Sequence, residues 1–133
     1  MFEQFAILAA GVLTLAAVIV QHLHTVTTRG PGFALTNRTE ALDRTGFSGR
    51  ATRTVQNSVE SSVMFVPPAL IVLLSGQSTG LSMLAAQAYI VSRVVFTLAY
   101  WAGIARLRSP AWAVSIAAIL AMNWTALTAV LDL

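Results

Sequence analysis

Arg50, Arg53, Asn57 and Glu60 are separated by steps of three, four and three residues. In a helix such steps keep all four on one face. Ala51, Val55, Val59 and Val63 on the opposite side are small or apolar, and the segment runs straight into VMFVPPALIVLL. A second stripe follows the same spacing: Arg93, Phe96 or Thr97, and Tyr100. Together the stripes offer guanidinium forks, an amide and a phenol, a set that suits a polar anionic ligand beside an apolar substrate. Arg93 lies mid-way along an apolar run, about 18 Å from either end at 1.5 Å per residue. A charge at that depth costs several kcal/mol unless it is paired or solvated, so Arg93 should face the protein interior. Glu60 is read as the only acidic residue inside an apolar run. The expectation is therefore an Arg93–Glu60 ion pair, whose loss in Glu60→Gln would destabilise the protein. Taken alone, Tyr100 also suits an interfacial anchor.

The elements that must position these residues are membrane helices. The 133 residues are 56% hydrophobic and only 10% charged, with mean hydropathy +0.74. Soluble domains carry about 25% charged residues. The pattern predicts one domain over residues 1–133, an all-α integral membrane protein folded as a four-transmembrane-helix bundle. The spans fall at about 2–26, 50–74, 81–104 and 111–131, each long enough for about 30 Å of hydrocarbon. The long connection, 27–49, contains the helix-breaking Gly30, Pro31 and Gly32, and Ser48 and Gly49 stand where the next helix would be capped. Pro67 and Pro68 are expected to kink or loosen the second span. The stretches SGQSTG and ARLRSP read as the remaining connections. Ala113, Ala117 and Ala121 form a small-residue ridge suited to close helix approach, while Asn123 and Trp124 read as packing and interfacial residues.

Arginine sets the orientation. Arg29, Arg38, Arg44, Arg50 and Arg53 cluster at the first connection, Arg106 and Arg108 at the third, and the second has none. Both arginine-bearing connections are expected in the cytoplasm, with the termini outside and the site facing the cytoplasm. Asn37-Arg38-Thr39 matches a weak glycosylation sequon. No removable signal peptide is expected, since Glu3 stands where a basic region would precede the apolar run. With no cysteine, disulfides, zinc–thiolate sites and a cysteine nucleophile are excluded, and any thiol must come with a ligand. His22 and His24 are two apart, on different helix faces, and too few to hold a metal. A net charge of +3, all of it arginine, does not suggest nucleic acid.

The pattern Arg50-x-x-Arg53-x-x-x-Asn57-x-x-Glu60, followed by an apolar run with proline, resembles the second-helix signature of the MAPEG family, membrane-associated proteins in eicosanoid and glutathione metabolism. RVVFTLAY (Arg93 to Tyr100) resembles its third-helix signature, and LRSPAW the following connection in bacterial members. The resemblance implies a homotrimer in a bacterial cell membrane, with glutathione bound between protomers near the cytoplasmic side. Arg50, Arg53, Asn57, Glu60, Arg93 and Tyr100 would bind it, the arginines holding its carboxylates and Glu60 its ammonium. A cation beside a thiol favours the nucleophilic thiolate, and Arg108, then Arg106, best match the family's thiol-activating arginine, with Tyr100 beside them. The implied activity is glutathione-dependent transfer to lipophilic electrophiles, or reduction of lipid hydroperoxides, with the lipophilic substrate arriving from the bilayer lipids. The alternative is a non-catalytic lipid-binding or scaffolding trimer of the same family. Gln56, Phe96 and Trp112 depart from the eicosanoid-synthase pattern and argue against that specificity.

Overall fold

The computed structural model describes residues 1–37 and 45–132. Arg38, Thr39 and Arg44, and with them the sequon, lie outside the described residues. The elements are α1 (Phe2–Arg29), α2 (Pro31–Ala34), α3 (Gly46–Leu74), α4 (Gly80–Ala102) and α5 (Ala105–Leu131). Four of them, all but the single turn α2, are long and apolar enough to cross a membrane. Even α4, with 23 residues, exceeds about 30 Å at 1.5 Å per residue.

Several boundaries differ from those expected. α1 runs on to Arg29, and its late threonines turn their hydroxyls back onto helix carbonyls, Thr25 to that of Gln21 at 3.0 Å and Thr28 to that of His24 at 2.7 Å. Gly30, at φ 84, then breaks it, and Pro31 opens α2 where a missing N–H costs nothing. α3 starts at Gly46 with Thr45 as its N-cap, ahead of Ser48 and Gly49. The stretch ARLRSP forms the first turns of α5 instead of a connection, so only Gly103 and Ile104 separate α4 from α5. α4 opens on a reciprocal cap: the Ser82 N–H donates to Thr79 Oγ1 (3.1 Å) and the Thr79 N–H to Ser82 Oγ (2.9 Å).

The core is built mainly from small side chains, Ala6, Ala10, Ala69, Ala85, Ala86, Ala118 and Ala126, around Phe65, Tyr89 and Met122. Small residues let membrane helices approach closely, which matters where lipid supplies no hydrophobic drive. Phe65 and Tyr89 stack at 3.8 Å, and the Tyr89 hydroxyl meets Ser61 Oγ at 2.8 Å. Of the expected ridge on α5 only Ala121 packs against the core. Ala113 and Ala117 are exposed, and Ala111, Ser115, Ala118 and Met122 face inward. α3 continues helically through Pro67 and Pro68. Pro68 has no N–H for the carbonyl of Met64, one helical turn earlier. Asn123 Nδ2 donates to that carbonyl instead, at 3.3 Å, and to Ile119 O at 2.8 Å.

Contacts at the two ends fix the helix directions. Glu3, fully buried, accepts from Ser82 Oγ at 2.7 Å, so α1 and α4 begin at the same end. Glu60 is thus not the only acidic residue inside a span. At the other end Gln21 Nε2 donates to Thr52 Oγ1 (3.0 Å), His24 meets Phe47 edge-on (4.9 Å), and Arg50 Nε donates to Trp101 O (3.2 Å). Arg29, Arg50, Arg53, Arg106 and Arg108 therefore gather at one end of the bundle.

Candidate functional site

Arg93 is buried, 2% exposed, as its depth in the apolar run required. Its partner is not Glu60. Nη1 donates to Asn57 Oδ1 at 2.8 Å, Nη2 reaches Ser58 Oγ at 3.5 Å, and the guanidinium lies 4.5 Å from the Phe96 ring centre. Glu60 is exposed and accepts from Gln56 Nε2 at 3.0 Å. The reason is angular. At about 100° per residue, Glu60 lies roughly 60° around α3 from Asn57, on the outward side, while Asn57 and Ser58 turn toward α4. Among the described residues the one ion pair is between the Met1 ammonium and Glu3, at 3.4 Å. Arg93 is held by an amide, a hydroxyl and a ring face instead of a second buried charge.

Arg50 bridges two helices. From the start of α3 it donates to the carbonyl of Trp101 near the end of α4, with its guanidinium 5.7 Å from the Phe47 ring centre. Gly103 ends α4 beside this contact as a left-handed cap. Its φ of 76 belongs to the left-handed region, and an added Cβ would stand 3.7 Å from the Arg50 guanidinium carbon.

Beside Arg50 lies a cavity of about 160 Å3, walled by Arg50, Arg53, Tyr100, Gly103 and Arg108. A second, of about 290 Å3, is walled by Asn57, Phe96, Tyr100, Arg108, Ser109 and Trp112. Tyr100 and Arg108 belong to both. The Arg108 guanidinium lies 5.1 Å from the Tyr100 ring centre, and Phe96 meets Tyr100 edge-on at 5.3 Å. Among the described residues no carboxylate lies within ion-pair distance of Arg50, Arg53 or Arg108. Their charge is therefore available to an external anion. A larger groove of about 560 Å3 between α1 and α3 is almost wholly apolar. Its two hydroxyls, Thr14 and Ser62, already bond each other and the helix carbonyls.

Of the residues singled out from the sequence, Arg50, Arg53, Tyr100 and Arg108 meet in one cavity, and Asn57 reaches the second while holding Arg93. Glu60 lies on the outward edge of α3, and Arg106 is exposed and lines neither cavity. Three contributors were not foreseen, Ser58, Gly103 and Ser109. Ser58 carries no signal beyond lying next to Asn57. Gly103 could have been found as a glycine ending an apolar helical run, the usual mark of a left-handed cap.

A bundle of four membrane-length helices defines a polytopic membrane protein, and this one carries a basic cavity at one end. The MAPEG family profile matches residues 4–128. The chain accordingly belongs to the MAPEG family and is an integral membrane protein. Comparisons with curated proteins and with solved structures give no match.

Proposed function

We propose that this protein is a membrane-bound, glutathione-dependent transferase or peroxidase that acts on lipophilic electrophiles or lipid hydroperoxides. One observation carries the reading: Arg50, Arg53 and Arg108 converge with Tyr100 on one cavity, with no carboxylate of the described chain paired to them. Glutathione matches that donor set. Its two carboxylates suit the guanidinium forks, and Glu60, on the same outward edge as Arg53, is available to its ammonium. Asn57, oriented by Arg93, offers its remaining N–H groups at the boundary with the second cavity.

Arg108 is assigned as the residue that activates the thiol. Its guanidinium is shared by both cavities and fixed over Tyr100, and a cation there favours the thiolate over the thiol. Arg106, exposed and outside both cavities, is assigned no part in the reaction. The lipophilic substrate enters from the bilayer and glutathione from the cytoplasm, the side on which membrane proteins concentrate arginine.

A homotrimer, the family's implied assembly, draws support from the outward edge of α3. Arg53, Gln56 and Glu60 are exposed there on a helix of membrane-crossing length. Hydrocarbon cannot solvate them, whereas neighbouring protomers and a wet inter-protomer site can.

The test uses the purified protein. Glutathione should bind, and Arg53→Ala or Glu60→Ala should weaken binding about tenfold or more, the loss of a charged hydrogen bond. Arg108→Gln should bind glutathione yet lose the ultraviolet absorbance of the bound thiolate. No binding at millimolar glutathione would end this reading. Binding to the wild type without a thiolate signal would favour a non-catalytic lipid-binding or scaffolding trimer.

A further inference from the structure

Two arginines at the basic end of the bundle line neither cavity. Arg29, the last residue of α1, and Arg106, in the first turn of α5, are both exposed. No carboxylate of the described residues pairs with either. They stand on opposite flanks, because α1 and α5 each pack on α3 and α4 but, among the described residues, not on each other. Each has exposed apolar side chains beside it. Ile104 and Leu107, on either side of Arg106, are both about half exposed. Phe33 lies with its ring centre 5.7 Å from the Arg29 guanidinium, and Leu35 is 89% exposed. We propose that these flanks are two headgroup sites for anionic phospholipid, one lipid at each. Arg29 and Arg106 take the lipid phosphates, and the apolar neighbours sit among the first acyl carbons.

Three observations carry the assignment. Depth is the first. With 28 residues α1 is about 42 Å long, well beyond about 30 Å of hydrocarbon, so its last turns emerge at the headgroups. Arg106 follows the turn at Gly103, where α4, about 34 Å long, has just completed its own crossing. Direction is the second. Arg106 and Arg108 are two residues apart, about 200° around α5 at 100° per residue. The turn that aims Arg108 into both cavities therefore aims Arg106 away from them. Chemistry is the third. A guanidinium fork matches two phosphate oxygens. A soluble anion would satisfy the arginine and leave Ile104, Leu107 and Leu35 in water, whereas a phospholipid satisfies both, because apolar side chains at this level bury about 5–10 Å into the headgroup boundary. Charge then selects among lipids. A zwitterionic headgroup brings its own ammonium to the phosphate, and an anionic one does not, a difference of about fivefold for each arginine at the surface.

This inference stands apart from the glutathione reading, and its experiment uses no glutathione. The detergent-solubilised full chain is equilibrated with equal amounts of dioleoylphosphatidylglycerol and dioleoylphosphatidylcholine, and the retained lipids are counted by native mass spectrometry. Phosphatidylglycerol should be retained about fivefold over phosphatidylcholine at each site. Arg29→Gln and Arg106→Gln should each remove one phosphatidylglycerol per chain, and the double variant should abolish the preference. Arg29→Lys and Arg106→Lys keep the charge and should hold the preference within about twofold, which separates loss of charge from loss of fold. Leu107→Ser should weaken retention at the Arg106 flank alone, and excess inorganic phosphate should leave the lipids in place. Equal retention of the two lipids, or a preference that survives the double variant, overturns the proposal. Displacement by inorganic phosphate overturns it too, by showing a site for free anions. So does loss of phosphatidylglycerol in Arg53→Gln with no loss in Arg106→Gln, which would put the lipid phosphate in the basic cavity.

Discussion

Arg93 shows how little separates a right residue from a wrong partner. Its burial follows from depth alone, because an arginine mid-way along a span has no inexpensive route to water. Its partner does not, since Asn57 and Glu60 share a stripe and are told apart only by a turn of about 60° around α3. The exchange has a measurable consequence. Asn57→Leu would leave a buried guanidinium without its closest acceptor (2.8 Å) and should cost about 2–3 kcal/mol. Glu60→Gln, at an exposed position already bonded to Gln56, should cost well under 1 kcal/mol. Thermal melts of both variants in one detergent check the order, and a larger loss in Glu60→Gln would restore the ion pair first expected from the spacing. The cationic residues of the basic cavity were legible by type and spacing. The order of Arg108 before Arg106 came from the family resemblance and not from spacing, because which of them lines the cavity depends on ARLRSP being helical.

Among the elements, α3 and α5 carry the clearest division of labour. A proline pair inside a membrane helix leaves carbonyls without donors, and lipid offers none. Asn123 meets this need from across the interface by donating to Met64 O. The sequence shows the prolines and, 55 residues later, an asparagine in an apolar run; nothing in either stretch says that they meet. A double-mutant cycle would test the link. Asn123→Leu should cost about 1 kcal/mol alone, and much less in the Pro68→Ala background, where residue 68 supplies the missing N–H itself. Equal costs in both backgrounds would show that Asn123 acts only through Ile119. The existence of four apolar helices was readable from composition and period. Their ends were not: the threonines at the end of α1 and the arginines opening α5 are polar residues that nonetheless stay helical, the former with hydroxyls satisfied by carbonyls of their own helix.

At the scale of the whole molecule, the bundle keeps its two ends chemically distinct. One gathers Arg29, Arg50, Arg53, Arg106 and Arg108, and the other buries Glu3 against the first turn of α4. The exposed Arg53–Gln56–Glu60 edge is hard to reconcile with a single copy surrounded by lipid. A bifunctional cross-linker applied in native membranes should therefore give a ladder that stops at three chains, and a ladder ending at one chain would refute the trimer. The Arg50–Trp101 contact bears on how this end meets a ligand. A free arginine side chain gives up about 2 kcal/mol of rotational freedom when it is immobilised. Arg50 has already surrendered much of that on folding, since its Nε is engaged and its guanidinium lies by the Phe47 ring, whereas exposed Arg53 has not. Anion capture at the proposed site would thus begin with one jaw rigid and one jaw loose. The entropic resistance to binding falls on Arg53, so pre-ordering that residue, more than adding charge, is the way to tighten the grip.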